Sequence, residues 1–167
     1  MTDIVTTERL VLRRFRSSDA AAIVSGIGDF DVAQWLTNVP FPYSLADAGA
    51  FMDRLGEDDL DAFAVEHEGR LIGCVSIGKE LGYWYAKDVW GRGFATEAGH
   101  AMACRHFAND DAPLLSGYHL GNSGSCNVLT KLGSTPTLRR TARSLSRGQD
   151  VEVPRMALTS ADWQARK

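Results

Sequence analysis

Trp90-Gly91-Arg92-Gly93-Phe94-Ala95-Thr96-Glu97 separates a β-like run from a helical one. The run before it, Glu80 to Ala86, reads Glu-Leu-Gly-Tyr-Trp-Tyr-Ala. After it, Ala95, Ala98, Gly99, Met102, Ala103 and Phe107 fall at i, i+3, i+4, i+7, i+8 and i+12, one face of a helix. The first N–H groups of a helix lack partners and carry partial positive charge, and glycine lets a backbone approach a ligand closely. Strand, glycines and helix start together make a phosphate site. Two phosphate templates fail. A P-loop needs lysine and then Ser/Thr after its second glycine, where Phe94-Ala95 stand. The dinucleotide fingerprint needs a third glycine where Thr96 stands. On the glycines alone, a plain strand-to-helix turn fits equally well.

Outward from this turn the chain reads as one domain. Thr6 to Arg16 alternates as a strand. Three helices follow: one after Ser17-Ser18-Asp19, one over Phe30 to Leu36, and one capped by Ser44 and running to about Leu55. Ala62–Glu66 and Leu71–Ile77 form a hairpin around Glu68-Gly69-Arg70, and Glu80–Ala86 is the third consecutive strand. Beyond the glycine-turn helix come a strand at Leu114–Leu120 and a helix capped by Asn122 and closed by Gly133. A hairpin of Leu138–Leu145 and Val151–Leu158 ends the pattern. The expected fold class is α/β: a mixed, mostly antiparallel central sheet flanked by helices, in the order β-ααα-βββ-α-β-α-ββ.

The 167 residues suit a single domain spanning 1–167, and 44% hydrophobic with 23% charged residues is enough for an ordinary core. A net charge of −3 argues against nucleic acid as a partner. Cys74, Cys104 and Cys126 are odd in number and widely spaced, so neither a disulfide framework nor a metal site is expected. The start of the chain lacks a signal pattern and no apolar run is long enough to span a membrane, so a cytoplasmic location is expected.

The stretch Gly-Tyr-Trp-Tyr-Ala followed by Trp-Gly-Arg-Gly-Phe-Ala-Thr-Glu-Ala resembles the central signature of the GNAT N-acetyltransferase superfamily, whose pattern is Gln/Arg-x-x-Gly-x-Gly/Ala. Gly93 and Ala95 match its last pair, and Trp90 replaces the leading residue, as in the Rim-type branch that acetylates ribosomal-protein N-termini. Asn122-Ser123-Gly124-Ser125 resembles the family's Asn-x-x-Ser helix start. The opening Thr-Glu-Arg-Leu-Val-Leu-Arg and the closing Ala161-Asp162-Trp163 are similar to that branch too. Ser134 departs from it, standing where an aromatic is usual.

The resemblance implies an acetyl-CoA-dependent N-acetyltransferase in which a primary amine attacks the thioester directly within a ternary complex. Gly91, Arg92, Gly93, Phe94, Ala95 and Thr96 would bind the pyrophosphate. Tyr83, Trp84 and Tyr85 would pair their backbone with the pantetheine arm, and Asn122 and Ser125 would also touch the cofactor. Such a reaction needs a base for the amine and a hydrogen-bond donor for the departing thiolate. Glu80 is the candidate base, Ser125 the candidate donor and Tyr83 a competing acid; each also has an ordinary structural reading, as strand end, first helical turn and strand packing. No metal is implied. The acceptor is a protein N-terminus or a small-molecule amine, chosen by residues around Asp29 to Leu45, and a homodimer is a family-level expectation. An acyl-CoA-binding regulatory module without turnover is the rival reading; it keeps the turn but needs neither Glu80 nor Ser125.

Overall fold

In the computed structural model, residues 4–55 and 59–166 are described. The strand expected over Thr6 to Arg16 is shorter, β2 (Val11–Arg13), and it pairs antiparallel with an earlier strand, β1 (Ile4–Thr6), that was not expected. Between them lies a turn with no Gly or Pro to mark it in the sequence. It is closed by the Thr7 N–H donating to the Leu10 carbonyl at 3.0 Å. A turn of 3-10 helix at Ser17–Asp19 leads into α1 (Ala20–Ile27), α2 (Phe30–Ala33) and α3 (Leu45–Arg54). Ser44 caps α3 as its sequence predicts, with its hydroxyl accepting from the Asp47 N–H.

Next come β3 (Asp61–His67), β4 (Arg70–Ile77) and β5 (Leu81–Tyr85). The β3–β4 turn puts both Glu68 and Gly69 at positive φ, 51° and 78°, the geometry of a tight two-residue hairpin. Strands β1 to β5 form an antiparallel sheet in chain order. Then follow α4 (Phe94–Phe107), β6 (Leu114–Gly117), α5 (Ser123–Leu132), β7 (Thr135–Ser144) and β8 (Gln149–Leu158). The last three strands make a second antiparallel sheet, ordered β6-β8-β7. The single sheet expected is therefore two, with β5 the edge of one and β6 the edge of the other. A last helix, α6 (Ser160–Gln164), was not read from the sequence. It is short, but Thr159 caps it and it buries Trp163 against Phe107 and His100.

The first sheet is covered on both faces, which explains its nearly continuous apolar strands. Phe63 and Val65 point into a core with α4, α5 and α6, while Ala64 points into a smaller core with α1 and α3. The same alternation sorts β5. Tyr83 and Tyr85 face the α4 side, and Trp84 faces α1. Gly26 of α1 lies against the Trp84 ring so closely that an added Cβ would sit 2.6 Å from it. Gly99 likewise admits Leu132 of α5 against α4. These two contacts hold the helices close to β5 and the glycine turn.

Among the described residues no helix is long and apolar enough to cross a membrane. Nor is any group of three or more His, Cys, Asp or Glu placed to hold a metal ion.

Candidate active site

The register of β5 decides which of its backbone groups are free. The Ala86 N–H donates to the Ile72 carbonyl at 2.8 Å, so that facing pair is hydrogen-bonded. In an antiparallel ladder such pairs alternate. Trp84 and Gly82 therefore direct their N–H and C=O toward β4, and Leu81, Tyr83 and Tyr85 direct theirs away from it. The same rule applies to β6. The Tyr118 N–H donates to the Pro154 carbonyl, so Leu115 and Gly117 turn their backbone groups away from β8. Two free edges, β5 and β6, thus lie side by side with no ladder between them. Of the three aromatic residues expected to offer backbone, Tyr83 and Tyr85 do so. Trp84 is engaged with β4 and Gly26, and the Tyr85 carbonyl accepts from Trp90 Nε1 at 2.8 Å.

The β5 edge leads into the glycine turn. A turn of 3-10 helix at Lys87–Val89 is held by Arg70, which makes two bonds to Asp88, and by Lys87 with Asp31. Gly91 and Gly93 then take positive φ, 73° and 82°. Helices α2, α3, α5 and α6 each have a side-chain oxygen capping their first turn. The cap position of α4 is Gly93, which has no side chain to offer. Its first amide groups, from Phe94 on, are left without that partner. Phe94 itself is buried under α4, with the Arg9 and Arg92 guanidinium groups and the His67 ring against it. Thr96 and Ala95 are half-buried in that first turn.

Two of the three candidate catalytic residues meet. The Tyr83 hydroxyl lies 2.8 Å from Ser125 Oγ. The phenol thereby spans from the edge of one sheet to the helix that follows the edge of the other. Ser125 is not the cap of α5. Asn122 is, with its Oδ1 accepting from the Ser125 N–H at 3.1 Å, which leaves the Ser125 hydroxyl to pair with Tyr83 and the Asn122 amide nitrogen without a partner among the described residues. Burial pushes the Tyr83 phenol up to about 12, although the Ser125 hydrogen bond opposes this. Tyr83 is therefore a neutral phenol throughout the physiological range, and either hydroxyl of the pair can donate to the other.

Tyr85 is buried as well and is raised further by burial, with Cys74, Tyr83 and Glu97 adding to it. Above about pH 10 the unfolded chain loses phenolic protons that the folded chain keeps, so stability falls as pH rises from about 10 toward about 12. Urea denaturation of wild type between pH 9 and 11 should show that decline, and Tyr83→Phe should make it shallower.

Glu80 stands at the head of β5, next to the same gap, but it is not joined to the Tyr83–Ser125 pair. Its carboxylate binds the guanidinium of Arg155 on β8. Arg155 reaches it across Gly117 of β6, where an added Cβ would sit 2.6 Å from Nη1. Cys126, beside Ser125, is half-buried and free of any disulfide.

A further cluster was not foreseen. His119 is buried, with Nε2 2.9 Å from Thr37 Oγ1 and Nδ1 3.2 Å from the Gln34 carbonyl. A carbonyl only accepts, so Nδ1 carries the proton and Nε2 accepts from Thr37. Burial holds this imidazole below its usual range, and Arg147 adds to the effect while the Gln34 bond opposes it. Arg147 lies over the Trp35 ring and bonds Gln34, and the Leu145 N–H donates to the Thr37 carbonyl. Arg139 and Arg143 pair with Glu152 and Asp150 across the β7–β8 hairpin, as a solvated face should. Arg147 is different. It fastens the hairpin tip to residues 34–37, inside the segment from which acceptor choice was expected. The Trp35 ring also lies near Gly121, directly before the Asn122 cap, where an added Cβ would sit 3.8 Å from it.

The sequence profile of the acetyltransferase (GNAT) domain matches residues 9–135. The chain belongs to the GNAT acetyltransferase family. No curated protein matched the sequence. Similar solved folds include a GNAT acetyltransferase from Bacillus anthracis, with TM-score 0.80, 19% identity, and 95% of this chain and 99% of that one covered. The ribosomal-protein-S5-alanine acetyltransferase from Vibrio fischeri gives 0.80 and 19%, covering 96% and 98%. The ribosomal L7/L12 α-N-protein acetyltransferase RimL, solved with coenzyme A, gives 0.78 and 16%, covering 93% and 97%. GNAT enzymes take their acetyl group from acetyl-CoA. The chemistry of this GNAT protein suits that donor: free strand edges suit an arm containing amides, and a helix start without a cap suits a diphosphate.

Proposed function

We propose that this acetyltransferase transfers the acetyl group of acetyl-CoA to a primary amine, either a protein N-terminus or a small molecule, by direct attack in a ternary complex. The observation that carries the reading is the pair of free edges at β5 and β6, which leads from the Tyr83–Ser125 hydrogen bond to the glycine turn at α4. The pantetheine arm runs between those edges, bonding to the Tyr83 backbone. The Tyr85 N–H is the oxyanion donor. The N–H groups of Gly93 to Thr96 take the pyrophosphate, with Gly91 and Arg92 completing the turn, and the Asn122 amide reaches the arm from the start of α5. Ser125, backed by Tyr83, donates a hydrogen bond to the departing thiolate. Glu80, oriented by Arg155, receives the amine proton through water. A reducing cytoplasm suits the three free thiols.

A thiol-release assay with acetyl-CoA tests this across N-terminal peptides, polyamines and small aromatic amines. At least one amine should be acetylated, and Glu80→Gln should lower kcat by about a hundredfold. Acetyl-CoA binding without turnover on any amine would favour a binding module instead. An unchanged kcat in Glu80→Gln would reduce the Glu80–Arg155 pair to a clasp between the sheets.

A further inference from the structure

We infer that Arg9, outside the glycine turn and far from it in sequence, is the positioning residue that aims the turn at the donor's pyrophosphate. The inference rests on the placement of the pyrophosphate proposed above. Arg9 lies in the loop between β1 and β2 and makes three kinds of contact with the start of α4. Its Nη1 donates to the Arg92 carbonyl at 2.9 Å. Its backbone N–H and Nε donate to the two oxygens of Glu97, at 2.8 and 2.7 Å, and Thr7 donates to the same carboxylate. Its guanidinium lies over the Phe94 ring, 4.6 Å from the centroid.

The first contact fixes a direction. The peptide between Arg92 and Gly93 is planar and trans, so its C=O and N–H point opposite ways. Holding the Arg92 carbonyl on Arg9 aims the Gly93 N–H away from Arg9, toward the side left open for a ligand. Gly93 keeps this geometry at φ 82°, with Arg9 Nη2 3.4 Å from where its Cβ would be. Without the bond, the left-handed Gly93 is free to swing that peptide, because glycine has few steric limits.

The second contact removes a charge conflict. Glu97 sits in the first turn of α4, where a carboxylate suits the helix dipole but repels a bound diphosphate. Burial pushes the Glu97 carboxyl up, yet the Thr7 and Arg9 hydrogen bonds outweigh it and hold it below the usual range. It is therefore an anion at neutral pH, and Arg9 is the cation that offsets it. The β1–β2 turn thus acts as a bolt: one side chain orients an amide of the anion site and neutralises the carboxylate in the first turn of α4.

A merely structural Arg9 would affect every acetyl donor alike. A residue that acts through the pyrophosphate site affects only donors that carry one. The test compares kcat/KM for acetyl-CoA with kcat/KM for S-acetylpantetheine, which lacks the diphosphate, in wild type, Arg9→Gln and Arg9→Lys. The ratio of the two should fall about tenfold or more in Arg9→Gln, the loss expected for a charge-assisted hydrogen bond. Arg9→Lys keeps a cation for Glu97 but has one nitrogen and cannot also span to the Arg92 carbonyl, so its ratio should lie between. Thermal melting confirms which variants are folded, and Arg9→Lys carries the test if Arg9→Gln is not. An unchanged ratio, whether or not both rates fall, overturns the role of Arg9. A wild-type ratio near one overturns the pyrophosphate placement itself, which is a separate failure.

Discussion

Gly93→Val should weaken acetyl-CoA binding by more than about a hundredfold while the protein stays folded. Gly93 has φ 82°, a left-handed conformation that a β-branched residue adopts only as an outlier. Valine must either hold the strain or rotate the backbone, and both disturb the amides of Gly93 and Phe94. Hydrogen bonds to a charged partner contribute about 1.5–3 kcal/mol each, so losing two corresponds to at least about two orders of magnitude in affinity. The cost to stability is smaller. The nearest atom to a new Cβ is the flexible end of Arg9 at 3.4 Å, so the penalty is backbone strain of about 1–3 kcal/mol. A domain stable by about 5–15 kcal/mol survives that. Calorimetric titration with thermal melting separates the two effects. Normal affinity in a folded Gly93→Val protein would contradict the assignment of the turn.

Ser125→Ala and Tyr83→Phe should each lower kcat by about a hundredfold with little change in the KM for acetyl-CoA, and the double variant should be no slower than the worse single one. The two hydroxyls share a hydrogen bond of 2.8 Å. If Ser125 meets the thiolate and Tyr83 orients and polarises Ser125, removing either disables the same step. Independent contributions would instead multiply to about ten-thousandfold. Each substitution removes one hydrogen bond at a cost of about 1 kcal/mol, too little to unfold the chain. Multiplicative losses, or single variants with full activity, would separate the pair from the chemistry.

The glycine turn, the α4 stripe, the Asn122 and Ser44 caps and the family were legible because each depends on residues close in sequence. Helical spacing and capping are local, and the two motif blocks lie on consecutive elements. The misses arise where distant contacts decide. Thr7 to Leu10 adjoins the alternating run from Leu10 to Phe15 and was read into the same strand, but Glu97, some ninety positions later, gathers Thr7 and Arg9 into a turn. The division into two sheets depends on β5 and β6 lying together without pairing, which leaves no trace in either strand's pattern. Narrowing the backbone donors from three aromatics to Tyr83 and Tyr85 needed the β4 register. The Glu80–Arg155 pair and the fastening of residues 34–37 by His119 and Arg147 are long-range as well. From the sequence, acceptor choice was only expected around Asp29 to Leu45. The sequence carried no signal for the hairpin tip that holds this segment.

The central claim is that the amides opening α4 receive the donor's pyrophosphate. Backbone amide NMR shifts, followed while acetyl-CoA and then S-acetylpantetheine are titrated into uniformly labelled protein, test it most directly. The account predicts that acetyl-CoA produces its largest shifts at Gly93, Phe94, Ala95 and Thr96, with further shifts at Tyr83 and Tyr85, and that S-acetylpantetheine shifts the β5 pair while leaving Gly93 to Thr96 nearly still. Saturating acetyl-CoA that leaves the Gly93–Thr96 amides unmoved would contradict it.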